Sequence, residues 1–154
     1  MPSAKETASK GKGGNPPTNP PLWVKLNFKL EEVPLLVDTG AQFLCIRRDV
    51  MQTLVDIGVK AKKGLCQLSY HLANGMHCDV KETVQLHFLL GKFSWNFQFK
   101  ILEGDPFPKI MGLDFLSHSK MVMDLEAREY YFRFAPHQPM KFECLVENGK
   151  FQGK

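Results

Sequence analysis

The chain has 154 residues, 44% of them hydrophobic, and a formal net charge of +4 at pH 7. This length accommodates one domain with a modest core and excludes two complete lobes. Because the charge is mild and the lysines are scattered, we do not expect nucleic acid as a partner. No apolar run approaches the roughly 18 residues of a membrane span, and no secretion signal opens the chain, so we expect a protein that is neither membrane-embedded nor secreted.

The cysteines and histidines do not predict a metal site. Cysteines occur at four positions, Cys45, Cys66, Cys78 and Cys144. They form no Cys-x-x-Cys pair, and no histidine stands at ligand spacing from them. His71, His77 and Cys78 could be considered together, but they alternate along strand-like runs and lack a fourth ligand. We therefore expect free thiols, as in the cytoplasm, with no metal and no other cofactor.

The N-terminal part of the chain divides into a polar leader and a first strand. Residues 1–21 are rich in Lys, Ser, Gly and Pro and end in a proline-rich run at 15–21. With almost nothing to bury, they predict a disordered or polyproline-like leader. Apolar and polar residues then alternate over 24–30 with the period of a half-buried strand, and Glu31 and Glu32 predict the turn that follows it.

The stretch 33–46 carries the most informative residues. Two apolar runs flank Asp38, Thr39 and Gly40, which predicts a tight turn between interior strands. An ionised carboxylate with apolar neighbours must be hydrogen-bonded, paired or protonated, so Asp38 is a candidate for catalysis. Thr39 offers a hydroxyl, and Gly40 lets partners approach the backbone closely. The alternative is an ordinary Asp-x-Gly turn, which is common between strands.

A short helix and a basic connector follow. Asp49 and Gln52 have the spacing of a helix cap, which predicts a helix that ends before Gly58. Its buried face would consist of Val50, Leu54 and Ile57. The next basic residues predict a solvated connector, with phosphate contact as the weaker alternative; they are Lys60, Lys62 and Lys63.

Two hairpins occupy the middle of the chain. Strand-like runs at 65–72 and 76–80 flank Ala73-Asn74-Gly75, and Asn-Gly is a strong hairpin signal because both residues tolerate positive φ. Runs at 84–88 and 93–101 also alternate around a turn. The second of them places four aromatic side chains on one face: Phe93, Trp95, Phe97 and Phe99. We expect these rings in the core; the alternative is a stacking platform for single-stranded nucleic acid.

The last third of the chain predicts a helix and a final hairpin. Ile110, Met111 and Gly112 lead into a helix that starts near Asp114. Asp114 could supply a second catalytic carboxylate, but at the head of a helix a cap for backbone N–H groups explains it better.

Beyond that helix, the runs 121–125 and 130–134 predict the last core hairpin. The segment after residue 135 predicts either one more strand or a connection to a further unit.

Two of these motifs resemble the signatures of one enzyme family. The run Leu35-Leu36-Val37-Asp38-Thr39-Gly40-Ala41 resembles the active-site loop of the aspartic peptidases. Further on, Lys109-Ile110-Met111-Gly112-Leu113-Asp114-Phe115-Leu116 resembles the segment and short helix that pack behind that loop. Their order and separation resemble the retropepsins, the peptidases of retroviruses and LTR retrotransposons, and Gly-Leu-Asp-Phe-Leu resembles the retrotransposon branch.

The resemblance implies an all-β fold: a small closed β-barrel of the retropepsin type with one or two short helices, assembled as a homodimer. It divides the chain into the leader at 1–21, a peptidase domain at 22–134 and a C-terminal extension at 135–154. The implied partners are a second copy of the chain and a peptide or polyprotein substrate.

The resemblance also implies a role for each site residue. Asp38 would be catalytic, Thr39 would brace the two loops of the dimer, and Gly40 would bond the carboxylates and the substrate backbone. Substrate would contact Ala41 and Gln42 from the loop and Ala73, Asn74, Gly75 and Met76 from a mobile flap. Ile110, Met111 and Gly112 would support the loop. Many retropepsins carry an acid or a small hydroxyl residue in place of Gln42, so this position leaves the subsite preference open.

The implied reaction needs two carboxylates that share one proton, and the chain has one Asp-Thr-Gly. A second copy would therefore supply the second Asp38. The function implied is an aspartic endopeptidase that processes a retroelement polyprotein, in the cytoplasm or a retroelement particle. Three alternatives stay open: a domesticated cellular retropepsin with a host substrate, a catalytically silent module that binds peptide or dimerises, and a nucleic-acid-binding β-barrel.

Overall fold

The structure is a computed structural model that describes residues 20–71, 75, 77–103 and 109–144. Their elements are β1 (Trp23–Phe28), β2 (Glu31–Val37), β3 (Cys45–Arg47), α1 (Arg48–Asp56), β4 (Ala61–His71), β5 (His77–Leu90), β6 (Phe93–Leu102), β7 (Ile110–Met111), α2 (Leu113–Ser119), β8 (Met121–Asp124), β9 (Glu129–Phe132) and β10 (Met140–Lys141). Within this part of the chain, neither helix has the length and apolar character that crossing a membrane requires.

Six strands close into a barrel. Hydrogen-bonded neighbours follow the order β1-β2-β7-β3-β6-β5, and β5 pairs with β1 through Leu26 with Leu90 and Asn27 with Leu89. The remaining strand of this sheet, β4, pairs antiparallel with β5 outside the ring. The expected all-β barrel of the retropepsin type with short helices is confirmed, whereas the homodimer stays a prediction.

Large aromatic side chains fill the barrel. On β1, alternate residues point inward and are buried, ending in Phe28, as a half-buried strand predicts. The rings of Phe28, Phe88 and Phe99 meet with centroids 5.5 to 6.3 Å apart. Tilted and edge-on contacts of this kind add to the free energy gained from burying their area.

The aromatic stripe of β6 lies under the second helix and a second, three-stranded sheet of β8, β9 and β10. The Trp95 ring contacts Phe115 of α2 at 5.1 Å and Phe132 of β9 at 5.0 Å between centroids. The core interpretation of this stripe is therefore confirmed. The described residues beyond 135 add strand β10, and Phe142 next to it is buried in the same core.

The helix cap predicted at Asp49 is wrong. Helix α1 continues directly from β3, with Arg47 at the N-cap position and no side-chain cap bond. Asp49 lies inside the first turn, where its carboxylate accepts hydrogen bonds from the Arg47 guanidinium. The buried face also differs, because Met51 and Leu54 are buried while Ile57 is 37% exposed.

The basic connector is also shorter than predicted, because β4 begins at Ala61 and includes two of its lysines, Lys62 and Lys63. Strand β5 explains the extension. The two runs predicted at 76–80 and 84–88 form one strand of 14 residues, which offers β4 a continuous partner up to Leu86.

We expect Phe99→Ala to lower the free energy of unfolding by about 3–5 kcal/mol, because Phe99 is fully buried and its removal leaves a cavity between two other rings. Urea denaturation followed by tryptophan fluorescence measures this change. Phe134→Ala is the control, since Phe134 is 62% exposed. Equal losses in the two variants would contradict the packing described here.

Candidate active site

The loop between β2 and β3 begins with the predicted catalytic turn. Asp38 follows the last residue of β2 and is half-buried, while Thr39 and Gly40 are exposed and Ala41 is buried. The backbone N–H of Gly40 donates to Asp38 Oδ1 at 2.9 Å, and the N–H of Ala41 donates to the Asp38 carbonyl at 3.1 Å. The turn therefore orients its own carboxylate through an Asx-type hydrogen bond.

Strand β7 holds the two sides of this loop together. It lies between β2, to which it is parallel, and β3, to which it is antiparallel. Asp38 donates its N–H to the Met111 carbonyl at 3.1 Å, and Leu36 donates to the Lys109 carbonyl at 3.0 Å. The backbone immediately before the turn is therefore fixed by a segment that comes much later in the chain.

The start of α2 packs against the back of the loop. The N–H of Leu113 donates to the Ala41 carbonyl at 2.9 Å, and that of Asp114 to the Gln42 carbonyl at 3.0 Å. These bonds satisfy N–H groups that have no partner inside a helix. Gly112 allows the approach, since a Cβ there would lie 2.7 Å from the backbone N and O of Phe43 and 2.8 Å from the Ala41 carbonyl oxygen.

Asp114 braces the far end of the loop. Its Oδ1 accepts from the N–H of Leu44 at 2.8 Å and from the N–H of Phe115 at 2.7 Å. The predicted role as an acceptor for helix N–H groups is therefore correct, but the N-cap position belongs to Gly112. Burial raises the pKa of Asp114, and the two N–H donors and the charge of Lys100 oppose that rise.

A small apolar cluster, which was not predicted from the sequence, connects the loop to the β4–β5 hairpin. It consists of Ala41, Cys45, Val80, Leu102 and Ile110, with Phe43, Cys66 and Leu68 at its edge. The alternation of Cys66 and Leu68 along β4 was the available signal, because both side chains point to one face of the strand. The base of the hairpin therefore packs directly on the Asp38 loop.

The predicted flap is described in part. Gly75 is exposed and has φ +88°, which agrees with a tight turn, whereas Ala73, Asn74 and Met76 lie outside the described residues. His71 and His77 are cross-strand partners, and their rings stack with centroids 5.4 Å apart. Among the residues that the structure describes, no three His, Cys, Asp or Glu side chains converge as metal ligands.

The structure brings some of the predicted site residues into one unit and leaves others at its edge or at the surface. Asp38, Gly40 and Ala41 form one hydrogen-bonded unit with the segment Ile110–Met111 and with Gly112 behind it. Gln42 is exposed and joins this unit through its carbonyl group. The Thr39 side chain is exposed at the surface of the single chain.

Comparisons with known proteins agree with the resemblance of the two motifs to the aspartic peptidases. The sequence model of the family described as "Aspartyl protease" matches residues 24–115, which include the first motif and the second motif up to Phe115. The crystal structure of the retroviral protease-like domain of Ddi1 from Leishmania major is similar over 86% of this chain and 100% of that chain, with a TM-score of 0.57 and 20% sequence identity. A search of curated proteins gave no match. Since the family match spans more than half of the sequence, the chain belongs to the aspartyl protease family, and its fold is retropepsin-like.

Proposed function

We propose that this chain is an aspartic endopeptidase that acts as a homodimer, with one Asp38 from each copy at the reacting centre. The observation that carries the proposal is the Asp38 turn itself. Its carboxylate is half-buried, accepts the Gly40 N–H at 2.9 Å and lies in a loop that β7 and α2 hold from behind. This arrangement provides one preorganised carboxylate, and the chain has one Asp-Thr-Gly.

A second copy is a better source of the other carboxylate than Asp114. Oδ1 of Asp114 already accepts two backbone N–H groups, one from Leu44 at the end of the loop and one from Phe115 in the first turn of α2, which supports a structural role. Thr39 and Gly40, by contrast, are exposed in the single chain and are available to a partner. A two-fold axis that passes beside Asp38 would set the two carboxylates side by side.

Two adjacent carboxylates cannot easily both ionise, so they share one proton. In the proposed mechanism, the ionised carboxylate accepts a proton from water as the water oxygen attacks the peptide carbonyl carbon. The protonated carboxyl donates a hydrogen bond to the carbonyl oxygen, and proton transfer to the amide nitrogen then releases the amine.

The substrate we propose is a retroelement polyprotein, bound between the Asp38 loop and the β4–β5 hairpin. The retrotransposon-like run from Gly112 to Leu116 supports this choice. A domesticated cellular peptidase with a host substrate is the second candidate, because a retroviral protease-like domain of the same fold occurs in Ddi1 from Leishmania major. Whether the gene continues into a reverse transcriptase distinguishes the two.

We expect Asp38→Asn to abolish peptide cleavage and to leave the thermal unfolding midpoint nearly unchanged, because the amide oxygen can still accept the Gly40 N–H. A peptide-library digest of both proteins measures the loss. Adding an equal amount of the variant to dimeric wild type should reduce the rate to about one half, since about half of the wild-type subunits enter mixed dimers. An unchanged rate in this mixture would show that each chain carries a complete site.

We also expect cleavage to be fastest at mildly acidic pH and to decline on both sides, because the reaction requires one proton shared by the pair. Initial rates on a single peptide from the digest, measured across the pH range at constant ionic strength, give this profile. Circular dichroism at each pH separates loss of activity from unfolding. A constant rate into strongly alkaline solution would contradict the shared proton.

We expect Asp114→Ala to lower the free energy of unfolding by about 2–4 kcal/mol, because it removes the acceptor of two backbone N–H groups. Asp114→Asn keeps an acceptor oxygen and should retain cleavage and remain within about 1 kcal/mol of wild type. Loss of all cleavage in a folded Asn variant would instead assign Asp114 to the reaction.

Comparing Asp114→Asn with the wild type also measures how the charge of Asp114 affects stability. Because the pKa of Asp114 is raised in the folded protein, the folded state holds this proton more tightly than the unfolded state. The contribution of Asp114 to stability therefore falls as the pH rises from its unfolded pKa through the raised folded value. Asp114→Asn does not titrate and should gain stability relative to wild type across that acidic window, as measured by urea denaturation.

A further inference from the structure

A groove with a basic lining lies on the outside of the barrel. A cavity of about 500 Å³ is lined by Asn27, Lys29, Val59, Lys60, His87 and Leu89. A second depression, of about 330 Å³, shares Lys60 and His87 with the first and continues along Ala61, Lys62, Gln85 and Asn96. We refer to the two together as the basic groove.

The closure of the barrel creates this groove. One edge of β5 pairs with β4 up to Leu86 and with β1 from Leu89 onward, so neither strand covers His87 between them. Val59 and Lys60, which follow α1, lie beside this gap. Lysines that are far apart in the sequence therefore meet at one place on the surface.

Lys29 reaches the groove from the turn between β1 and β2. Its Nζ is 3.4 Å from the position that a Cβ on Gly58 would occupy, at the C-terminal end of α1. A cation is favourable beside the C-terminus of a helix, so this contact by itself explains Lys29. It does not explain Lys60 and Lys62, which are exposed and line the same groove.

The charge of the groove has one sign. Its lining contains three lysines, and none of the lining residues in the described part of the chain is Asp, Glu or Arg. Lys60 and Lys62 form no ion pair within the described residues. The positive charge is therefore available to an anionic partner instead of being neutralised by the protein itself.

The lining favours phosphate over carboxylate as that anion. Lysine binds phosphate as a point charge, whereas planar carboxylates are bound best by the two-pronged guanidinium of arginine. Lys60 immediately precedes β4, and Lys62 is the second residue of that strand. Two positions of extended chain span about 7 Å, which is comparable to the separation of successive phosphates in an extended single strand.

The remaining lining residues fit the other parts of a nucleotide. Val59 and Leu89 give the groove an apolar floor, and Leu89 is 41% exposed. The amides of Asn27, Gln85 and Asn96 both donate and accept hydrogen bonds, as the edges of unpaired bases do. We propose that the basic groove binds single-stranded nucleic acid, a function beyond the proposed peptidase reaction.

The groove and the peptidase site lie at opposite ends of β2. Lys29 precedes Glu31, the first residue of this strand, and Asp38 follows Val37, the last. Seven residues of extended chain span about 20 Å, so a strand in the groove does not occupy the space in front of Asp38. Nucleic-acid binding should therefore be unaffected by Asp38→Asn, and its failure would leave the peptidase proposal untouched.

Fluorescence anisotropy of a labelled oligouridylate of about 12 nucleotides, titrated with the full chain, tests the proposal directly. Three lysine–phosphate contacts predict a slope of about −2 for the logarithm of the association constant against the logarithm of the salt concentration, between about 50 and about 200 mM KCl. No binding at the lowest salt concentration would overturn the proposal. A decaglutamate peptide that competes as well as unlabelled RNA would do the same, because the site would then be one for acidic peptides.

A matched pair of variants locates the binding. Lys60→Glu with Lys62→Glu should weaken RNA binding by about tenfold or more, because two phosphate contacts become repulsive. The control, Lys120→Glu with Arg133→Glu, changes the net charge by the same amount at two exposed positions next to the three-stranded sheet. It should weaken RNA binding by less than about threefold. Equal losses would mean diffuse attraction to the net charge and would overturn the assignment to the groove.

Two further measurements serve as controls for this comparison. A wild-type circular dichroism spectrum and a wild-type urea unfolding midpoint for the Lys60→Glu and Lys62→Glu variant show that the barrel is intact. Lys60→Gln with Lys62→Gln removes the two charges without adding new ones and should weaken RNA binding in the same direction by a smaller factor. Unchanged binding in this neutral variant would exclude the two lysines as phosphate contacts.

Discussion

The close approach of Gly112 to the Asp38 loop is the constraint on which the candidate active site depends. A Cβ at this position would lie 2.7 Å from two backbone atoms of Phe43, closer than real Cβ atoms come. Without it, β7 can lie between β2 and β3 and α2 can begin immediately behind the loop. One missing methyl group therefore permits the backbone contacts that fix the turn.

The same close approach connects the candidate active site to the core. Helix α2 offers its first N–H groups to the carbonyls of the loop, and three residues after Gly112 it inserts Phe115 among the aromatic rings of β5 and β6. The helix is short, and packing of this kind, more than intrinsic propensity, stabilises short helices. A preorganised carboxylate needs support that does not move, and here that support is the aromatic part of the core around Phe115.

Local features of the structure could be predicted from the sequence, and features that depend on distant partners could not. The Asp38 turn and the alternating strands follow from neighbouring residues and were predicted, although β1 ends at Phe28 and the residues predicted as its turn, Glu31 and Glu32, begin β2. The length of β4 depends on the length of β5, and the contact of Asp114 with Leu44 joins residues 70 positions apart. Asp49 is a residue type that often caps helices, but α1 continues directly from β3, so Arg47 occupies the N-cap position.

The basic groove likewise has one feature that follows from the topology, the gap in strand pairing, and one that does not, the identity of the side chains around it. A closed ring in which β5 shares one edge between β4 and β1 must leave a gap where one partner ends and the next begins. The gap at His87 is therefore a property of the barrel. The side chains around it face outward and contribute little to the core, so their identity is only weakly constrained by folding. In the proposal made above, lysines at two such positions and the absence of carboxylates among the described lining residues serve the binding of an anionic partner.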